Sequence, residues 1–238
     1  MVKKLNLGVI PGDGIGGEVV AEALKTLSVA AAGTLDLSVT NYQLGADHFL
    51  ATGEILSDET LEELAGHDAL LMGAVGGDPS DTRLSGGIIE RGLLLKLRFS
   101  FDHFVNLRPT KSYEGIDSPV TNSAPIDFVV VREGTEGPYA GNGGVLRTGT
   151  AREIATEVSL NTAHGVERVL RFAFEKAVSR RKKLTLVHKT NVLVHAGGLW
   201  TRLFRQIQEE FPSVETDYLH IDAATIFMVT DPARFDVI

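Results

Sequence analysis

Residues 90–109 read Glu90-Arg-Gly-Leu-Leu-Leu-Lys-Leu-Arg-Phe-Ser-Phe-Asp-His-Phe-Val-Asn-Leu-Arg-Pro109, a dense leucine run followed by a strand-like alternation. Leucine favours the helix, but these leucines are too crowded for an exposed surface helix. At least one of them must therefore face the core or a pocket. From Phe104 to Arg108 the residues alternate as in a strand, and Pro109 is expected to end the ladder.

Two arginines stand at the ends of these elements, Arg98 at the end of the helix and Arg108 at the end of the strand. An arginine guanidinium binds a carboxylate through two parallel hydrogen bonds, so a pair of them suits a substrate with several carboxylates. The alternative is that both are solvated and paired with surface acids.

Composition bounds the possible functions. The chain has 238 residues, 43% of them hydrophobic, which is enough for one large domain or two small ones. A net charge of −8 argues against nucleic acid or an anionic membrane as the main partner. There is no cysteine, so thiolate metal sites and disulfides are excluded. The N-terminus lacks the pattern of a signal peptide and no apolar run is long enough to span a bilayer, so we expect a cytoplasmic protein.

The N-terminal segment predicts a strand, a glycine turn and a helix. Gly12, Gly14 and Gly17 match the dinucleotide-binding fingerprint, with Asp36 at the expected distance. The match is weak because Asp36 opens the next strand instead of closing it, so a tight turn with another role in the site remains the alternative.

The remaining pattern alternates strands and helices, which is typical of an α/β protein. Predicted loops cover Ala74–Gly87, best explained by cofactor contact, and Ser118–Pro125. A hairpin or arm is predicted over Val145–Ser159, and the basic run Ser179–Lys183 is interpreted as a solvated helix end. A last strand is predicted over Arg234–Ile238.

The predicted strands deliver chemically useful residues at their ends: Arg108, Arg132, Lys189 and Asp222. Because α/β sheets bind ligands at the carboxyl ends of their strands, these residues predict an anionic substrate and a metal. Each also has an ordinary structural explanation, as does Tyr139, which could be a core aromatic. Their recurrence at equivalent places favours a site.

The chain resembles the β-decarboxylating dehydrogenases of the isocitrate/isopropylmalate family. The resemblance rests on Pro11-Gly-Asp-Gly-Ile-Gly16, Leu94-Leu-Lys-Leu-Arg98, Asn106-Leu-Arg-Pro109, Val131-Arg-Glu-Gly-Thr-Glu-Gly-Pro-Tyr139, His188-Lys-Thr-Asn-Val192 and Asp222-Ala-Ala-Thr225. It implies a two-domain α/β fold with a mixed sheet flanked by helices, which is not a Rossmann fold. Residues 1–103 would form half of the cofactor-side domain, and residues 104–238 the second domain, with a dimerisation arm around 139–159.

The resemblance also implies a role for each matching residue. Arg98, Arg108 and Arg132 would hold the malate carboxylates, with Asp222 also on the substrate, while Leu94 and Leu95 lie against its 3-substituent. Lys189 would take the proton of the 2-hydroxyl group, Tyr139 would protonate the enolate, and Asp222 would bind Mg²⁺ or Mn²⁺. NAD would lie beside Ala74, Val75, Gly76, Gly77 and Glu90, so the glycine fingerprint would be a false match.

The same resemblance implies a homodimer in which Lys189 and Asp222 act across the interface. Leu94 and Leu95 favour 3-isopropylmalate as substrate over tartrate, D-malate, isocitrate or homoisocitrate, because a polar 3-substituent would be left unpaired there. In the family, further metal-binding aspartates and an NAD-binding loop follow the position of Ile238. A truncated chain is therefore expected, and an inactive dimerising fragment is the second hypothesis.

Overall fold

The computed structural model describes residues 3–118, 120 and 125–238, in two compact units, Met1–Phe101 and Asp102–Ile238. The division falls two residues before the boundary expected from the sequence. The predicted loop Ser118–Pro125 lies mostly outside the described residues. No helix in the described part of the chain combines the length and apolar character needed to cross a bilayer.

Unit 1 is built on a parallel sheet of strand order β2-β1-β3. Its strands are β1 (Lys3–Ile10), β2 (Leu35–Asn41) and β3 (Ala69–Met72). Its α-helices are α1 (Gly16–Ala31), α2 (Ala46–Thr52), α3 (Asp58–Ala65) and α4 (Lys96–Ser100), and α4 continues a π-helical turn at Glu90–Leu95.

Both faces of this sheet are covered because successive side chains of β1 point to opposite sides. Leu7 and Val9 pack with Val20 of α1, whereas Ile10 packs with Leu93 and Leu97 of the leucine run. The helix expected from the leucines is thus present, with its most buried members in the core. Arg98 lies in its last turn, which ends at Ser100.

Unit 2 contains a mixed sheet and a separate hairpin. The sheet strands are β4 (Val105–Lys111), β5 (Asp127–Glu133), β8 (Lys183–His188) and β9 (Glu215–His220), and the hairpin is β6 (Gly143–Leu146) with β7 (Ile154–Glu157). The helices are α5 (Ala163–Val178), α6 (Val194–Gln208) and α7 (Ile221–Thr230). The hairpin confirms the hairpin predicted between Val145 and Ser159.

The end of the chain joins the two halves of this sheet. Val237 forms parallel bridges to Val129 of β5 and to Leu184 of β8. The strand predicted at Arg234–Ile238 is therefore wrong in extent, because Pro232–Arg234 is a 3-10 turn and the pairing is limited to isolated bridges. Helices α5 and α6 cover one face of the sheet through Phe174 and Phe204, and α7 lies against the other.

Two further expectations about unit 2 are wrong. Pro109 does not end the strand, since it pairs with Val129 within β4. β4 has only β5 as a neighbour among the described residues, and an edge strand tolerates a missing N–H group.

The basic run after α5 is not simply solvated. Arg180 Nε donates to Asp236 Oδ1 at 2.8 Å, and its Nη2 donates to Asp127 Oδ1 at 2.6 Å. The backbone N–H of Arg181 donates to Asp236 Oδ2 at 2.8 Å. Because the Asp236 side chain is only 1% exposed, this run ties the helix end to the buried C-terminal segment.

Candidate active site

In unit 1, the glycine turn after β1 is packed against the loop that begins at Ala74. The backbone N–H of Asp13 donates to the carbonyl oxygen of Ala74 at 2.7 Å. Gly12 has a φ of +75°, and a Cβ there would lie 2.0 Å from the same carbonyl oxygen. These contacts explain Gly12 without a dinucleotide. Asp36 is exposed at the start of β2, which also disagrees with the dinucleotide fingerprint.

The loop expected to lie beside NAD is only partly irregular. Residues Thr82–Gly87 include 3-10 turns that are interrupted at Ser85 and Gly86, where the backbone is not helical, and Asp81 caps the first turn by accepting from the backbone N–H of Arg83. Glu90 is exposed at the start of the π-helical turn, with its carboxylate beside Gly87. The carboxylate of Asp13, which the sequence did not single out as a site residue, accepts from the Gly76 N–H at 2.8 Å.

The π-helical turn sets the orientation of the leucines. Leu93 and Leu97 are buried, while Leu94 and Leu95 between them are half-buried. π-Helical turns within α-helices are frequent at functional sites. This arrangement leaves Leu94 and Leu95 as the members of the run that could contact a ligand.

In unit 2, two of the predicted carboxylate-binding arginines share one face of the β4–β5 ladder. Asn106 is opposite Arg132, and Arg108 is opposite Val130. Arg108 and Arg132 are therefore diagonal neighbours, within reach of one another for long side chains. Arg108 Nε donates to Asn106 Oδ1 at 2.9 Å. In the described part of the chain, Arg132 Nε is buried without a hydrogen-bond acceptor.

Tyr139 lies next to this arginine face. The guanidinium of Arg132 is 5.1 Å from the centre of the Tyr139 ring, a cation–π contact. The tyrosine is on a short 3-10 turn, Pro138–Ala140, flanked by Gly137 and Gly141 with positive φ angles. Tyr139 as a whole residue is 36% exposed and can reach a ligand.

Two glutamates hold the loop that carries Tyr139. Glu133 accepts from the backbone N–H groups of Thr135 and Glu136. Glu136 in turn accepts from the backbone N–H of Thr162 at 2.8 Å and from its hydroxyl group, at the start of α5. The motif Arg132-Glu-Gly-Thr-Glu-Gly-Pro-Tyr139 is thus hydrogen-bonded to the N-terminus of α5, which restricts the position of Tyr139.

Lys189 and Asp222 form an ion pair at the ends of neighbouring parallel strands. His188 is in register with His220, so the residues after β8 and β9 emerge side by side. Lys189 Nζ is 2.5 Å from Asp222 Oδ1, and the Asp222 side chain is 66% exposed. The hydrogen bond from Lys189 lowers the pKa of Asp222 below its ordinary value of 3.8, so this carboxylate is ionised at neutral pH.

Tyr218 was missed by the sequence analysis. Its hydroxyl group contacts Thr190 Oγ1 at 2.9 Å and His220 Nδ1 at 2.7 Å, and it accepts from the Thr190 N–H at 3.2 Å. It therefore links the backbone just after Lys189 to the strand that precedes Asp222. The sequence signal that could have found it is that Tyr218 and His220 are two residues apart in β9, so their side chains lie on the same face of the strand.

Unit 2 contains a cavity of about 390 Å³, and neither Lys189 nor Asp222 is part of its lining. Its lining includes Arg132, Tyr139, His188 and Trp200. Burial lowers the pKa of His188 below its ordinary 6.5, so this imidazole is neutral at physiological pH. Trp200 Nε1 donates to Asn161 Oδ1 at 2.9 Å, which orients the indole in the cavity wall.

The structure thus brings Arg108 near Arg132, Arg132 near Tyr139, and Lys189 near Asp222, all in unit 2. Val237 runs parallel to both β5 and β8, so the carboxyl ends of β5, β8 and β9 lie at one edge of the sheet. Leu94, Leu95, Arg98, Glu90 and the loop Ala74–Gly77 belong to unit 1.

The described residues do not complete a metal site. Over 3–118, 120 and 125–238, no three His, Asp or Glu side chains gather closely enough to hold an ion. Mg²⁺ prefers six oxygen ligands in octahedral geometry. Asp222 is an ionised and accessible carboxylate, so it fits the role of one ligand and leaves the others to substrate, water or further residues.

Comparison with known proteins shows a family match over almost the whole chain. A sequence model of the family described as isocitrate/isopropylmalate dehydrogenase matches residues 6–238. The 3-isopropylmalate dehydrogenases of Clavibacter michiganensis subsp. michiganensis and Leifsonia xyli subsp. xyli are 64% and 62% identical to the chain over 239 residues. Each alignment covers 100% of this chain and 67% of the relative, so the chain spans about two thirds of their length.

A solved structure gives the same result for the fold. The isocitrate dehydrogenase from Methylococcus capsulatus superposes with a TM-score of 0.83 at 31% identity. The superposition covers 98% of this chain and 65% of that one. The mixed α/β architecture expected from the sequence is therefore confirmed.

Proposed function

Because the chain belongs to the isocitrate/isopropylmalate dehydrogenase family, we propose that it is the greater part of an NAD- and metal-dependent 3-isopropylmalate dehydrogenase. Such an enzyme oxidises 3-isopropylmalate and decarboxylates it to 2-oxoisocaproate, a step of leucine biosynthesis. The proposal is carried by one observation. Arg132 is the second-last residue of β5, and Lys189 and Asp222 come just after β8 and β9, so all three lie at the carboxyl ends of strands at one edge of the unit 2 sheet, where α/β proteins bind substrates.

The arginines account for recognition of a dicarboxylate. Arg108 and Arg132 share a face of the β4–β5 ladder, and Arg132 Nε has no acceptor among the described residues. An incoming carboxylate would supply one and form charge-assisted hydrogen bonds. Arg98 is proposed as the third cation. Leu94 and Leu95 would contact the isopropyl group, for which half-buried leucines are suited and a polar substituent is not.

Lys189 and Tyr139 are the proposed proton carriers. Lys189 Nζ would accept the proton of the 2-hydroxyl group. To do so, the lysine must be an uncharged amine and must no longer be paired with Asp222. Tyr139 Oη would donate a proton to the carbon that loses carbon dioxide, and its exposure permits that contact. When bound, NAD would accept the hydride, and Mg²⁺ or Mn²⁺ would supply the Lewis acid that decarboxylation needs.

The proposed cofactor and metal contacts use different parts of the chain. Ala74, Val75, Gly76, Gly77 and Glu90 form the proposed NAD contact, supported by the fixed start of the loop at the glycine turn. Asp222 is the proposed metal ligand, supported by its exposure and lowered pKa.

A homodimer with Lys189 and Asp222 acting across the interface is also proposed. It is supported by apolar side chains on and beside the β6–β7 hairpin that are between 41% and 65% exposed, namely Val145, Leu146, Ile154, Val158 and Leu160. An exposed apolar group of this kind is typical of an interaction surface. Sedimentation of a Leu146→Asp variant tests it, since a charge in the interface should favour the monomer. A cytoplasmic location stays a prediction.

The first test is formation of NADH by the purified chain with 3-isopropylmalate, NAD and Mg²⁺. Lys189→Ala should abolish turnover. Lys25→Ala is the matched control, because Lys25 also pairs with a carboxylate, that of Glu22 at 3.2 Å, while both side chains are 73% exposed. Turnover that survives Lys189→Ala would contradict the assignment of the base.

The second candidate function is that of a dimerising fragment without catalysis. It is favoured by the absence, among the described residues, of three clustered metal ligands. A chain that sediments as a dimer and yet binds neither Mg²⁺ nor NAD would support this function and contradict the first.

Substrate choice is tested separately by comparing NADH formation from 3-isopropylmalate with that from tartrate, D-malate, isocitrate and homoisocitrate.

A further inference from the structure

Asp13 is one of the few buried charged residues of the described chain, with 7% of its surface exposed. Its carboxylate accepts three backbone N–H groups from two distant segments. Oδ2 accepts from Ala46 at 2.8 Å and from Gly76 at 2.8 Å, and Oδ1 accepts from Asp47 at 3.0 Å. No lysine or arginine of the described residues pairs with it, so its partners are backbone groups alone.

Two of its bonds bracket the start of the proposed cofactor loop. The Asp13 N–H donates to the Ala74 carbonyl oxygen, and the Asp13 carboxylate accepts from Gly76. Val75 is therefore held between two fixed points. Gly16 adds to this constraint, because a Cβ there would lie 2.7 Å from the Ala74 carbonyl oxygen.

The third segment is the first turn of α2. Gly45, immediately before α2, has a φ of +142°, and a Cβ there would lie 2.4 Å from Asp13 Oδ2. Glycine at this position lets the helix start directly on the carboxylate. One side chain thus joins the turn after β1, the start of α2 and residues 74–76.

We infer that Asp13 is a positioning residue for the cofactor loop, setting the backbone conformation of Ala74–Gly77 and thereby its affinity for a dinucleotide. The inference rests on the proposed function for its second half, the contact between this loop and NAD. Its first half concerns only this chain. A buried carboxylate satisfied by backbone donors has a geometric role, because each lost acceptor leaves a buried N–H group unpaired.

The experiment measures amide hydrogen exchange in the purified chain without cofactor, using peptides over residues 74–77 and over α5 as a reference. In Asp13→Ala, exchange over 74–77 should accelerate about tenfold or more, the loss expected for one backbone hydrogen bond. Exchange in α5 should not change. In Asp13→Asn, the amide oxygen can replace Oδ2 and still accept from Gly76, so exchange over 74–77 should stay close to that of the unaltered chain.

A second variant reaches the same contact if Asp13→Ala fails to fold. Gly45→Ala displaces the carboxylate without removing it and should also accelerate exchange over 74–77. Gly53→Ala is its matched control, since Gly53 follows α2 at a φ of +78° with no atom within 4 Å of its added Cβ. Equal exchange over 74–77 in Gly45→Ala and Gly53→Ala would overturn the inference.

Binding of NAD to the same proteins tests whether Asp13, by positioning the loop, sets the affinity for NAD. Asp13→Ala should raise the Kd for NAD at least fivefold while the Kd for 3-isopropylmalate stays unchanged, and Asp13→Asn should restore most of the affinity. An unchanged Kd for NAD in Asp13→Ala would overturn the cofactor role. If the unaltered chain does not bind NAD, the proposed cofactor contact fails, while the exchange data still decide whether Asp13 positions the loop.

Discussion

The sharpest stability prediction concerns Arg180, which holds the buried carboxylate of Asp236 at the end of the chain. The perturbation is Arg180→Met, which keeps an apolar stem of similar length and removes the guanidinium. Asp236 would then retain the backbone N–H groups of Arg181 at 2.8 Å and Lys183 at 3.3 Å, and a longer ion pair with the Arg181 guanidinium at 3.9 Å. Its side chain is 1% exposed, so water cannot replace the lost partner.

The magnitude follows from that burial. Removing one partner of a buried ion pair costs about 3–5 kcal/mol. The lower end applies here, since the Arg180 side chain is 23% exposed and Asp236 keeps backbone donors. We therefore expect unit 2 to lose about 3 kcal/mol, which corresponds to a fall in Tm of about 10 °C for a unit of this size.

The assay is thermal and urea unfolding followed by Trp200 fluorescence, because Trp200 is the single tryptophan and belongs to unit 2. Arg171→Met is the matched control. Arg171 forms ion pairs at 3.0 Å with Glu167 and 2.8 Å with Glu210, but these acids are 47% and 52% exposed. Exposed pairs contribute about 0–1 kcal/mol. A loss in Arg180→Met no larger than in Arg171→Met would refute the reasoning.

Three further predictions follow from the same structure. Gly197→Ala should destabilise unit 2 and perturb the segment after Lys189, because its Cβ would lie 2.8 Å from Thr190 Cα. Gly198→Ala, with no atom within 4 Å, should be neutral or stabilising by up to about 1 kcal/mol in urea unfolding. Since burial lowers the pKa of His188 below 6.5, the unfolded chain takes up the proton first. The free energy of unfolding should therefore fall as pH drops through 6.5, and His188→Gln should remove that part of the dependence; an unchanged slope would contradict this. Replacing Leu94 and Leu95 with glutamine should reduce kcat/KM for 3-isopropylmalate more than for D-malate, and equal losses would argue against their contact with the isopropyl group.

The elements of the fold were largely predictable because their signals are local. Helix α5 begins where Thr162 supplies an N-cap, accepting from the Gly165 N–H, and α3 begins after Ser57 in the same way. Apolar residues recur along α5 at helical spacing, and Val166, Leu170 and Phe174 among them are buried. These features depend on neighbours within a few positions along the chain.

The candidate site was predictable in part, through the rule that ligands meet the carboxyl ends of strands. Lys189 and Asp222 were placed there from the sequence, and the parallel register of β8 and β9 brings them into contact. The glycine fingerprint illustrates the opposite case. The spacing of its glycines is compatible with a dinucleotide site, whereas in the structure its first glycine, Gly12, packs against the carbonyl oxygen of Ala74.

The sequence alone determined the α/β class, most of the elements and the strand-end residues of the site, because periodicity and capping are recorded in adjacent residues. Only the tertiary structure revealed that Asp13 holds Gly76, that Arg180 holds Asp236 and that β4 continues through Pro109. Each of these depends on a partner twenty or more residues away in sequence. Neighbouring residues in the sequence give no signal for such pairs. The partner of each residue is determined by which segments the folded sheet and helices bring together.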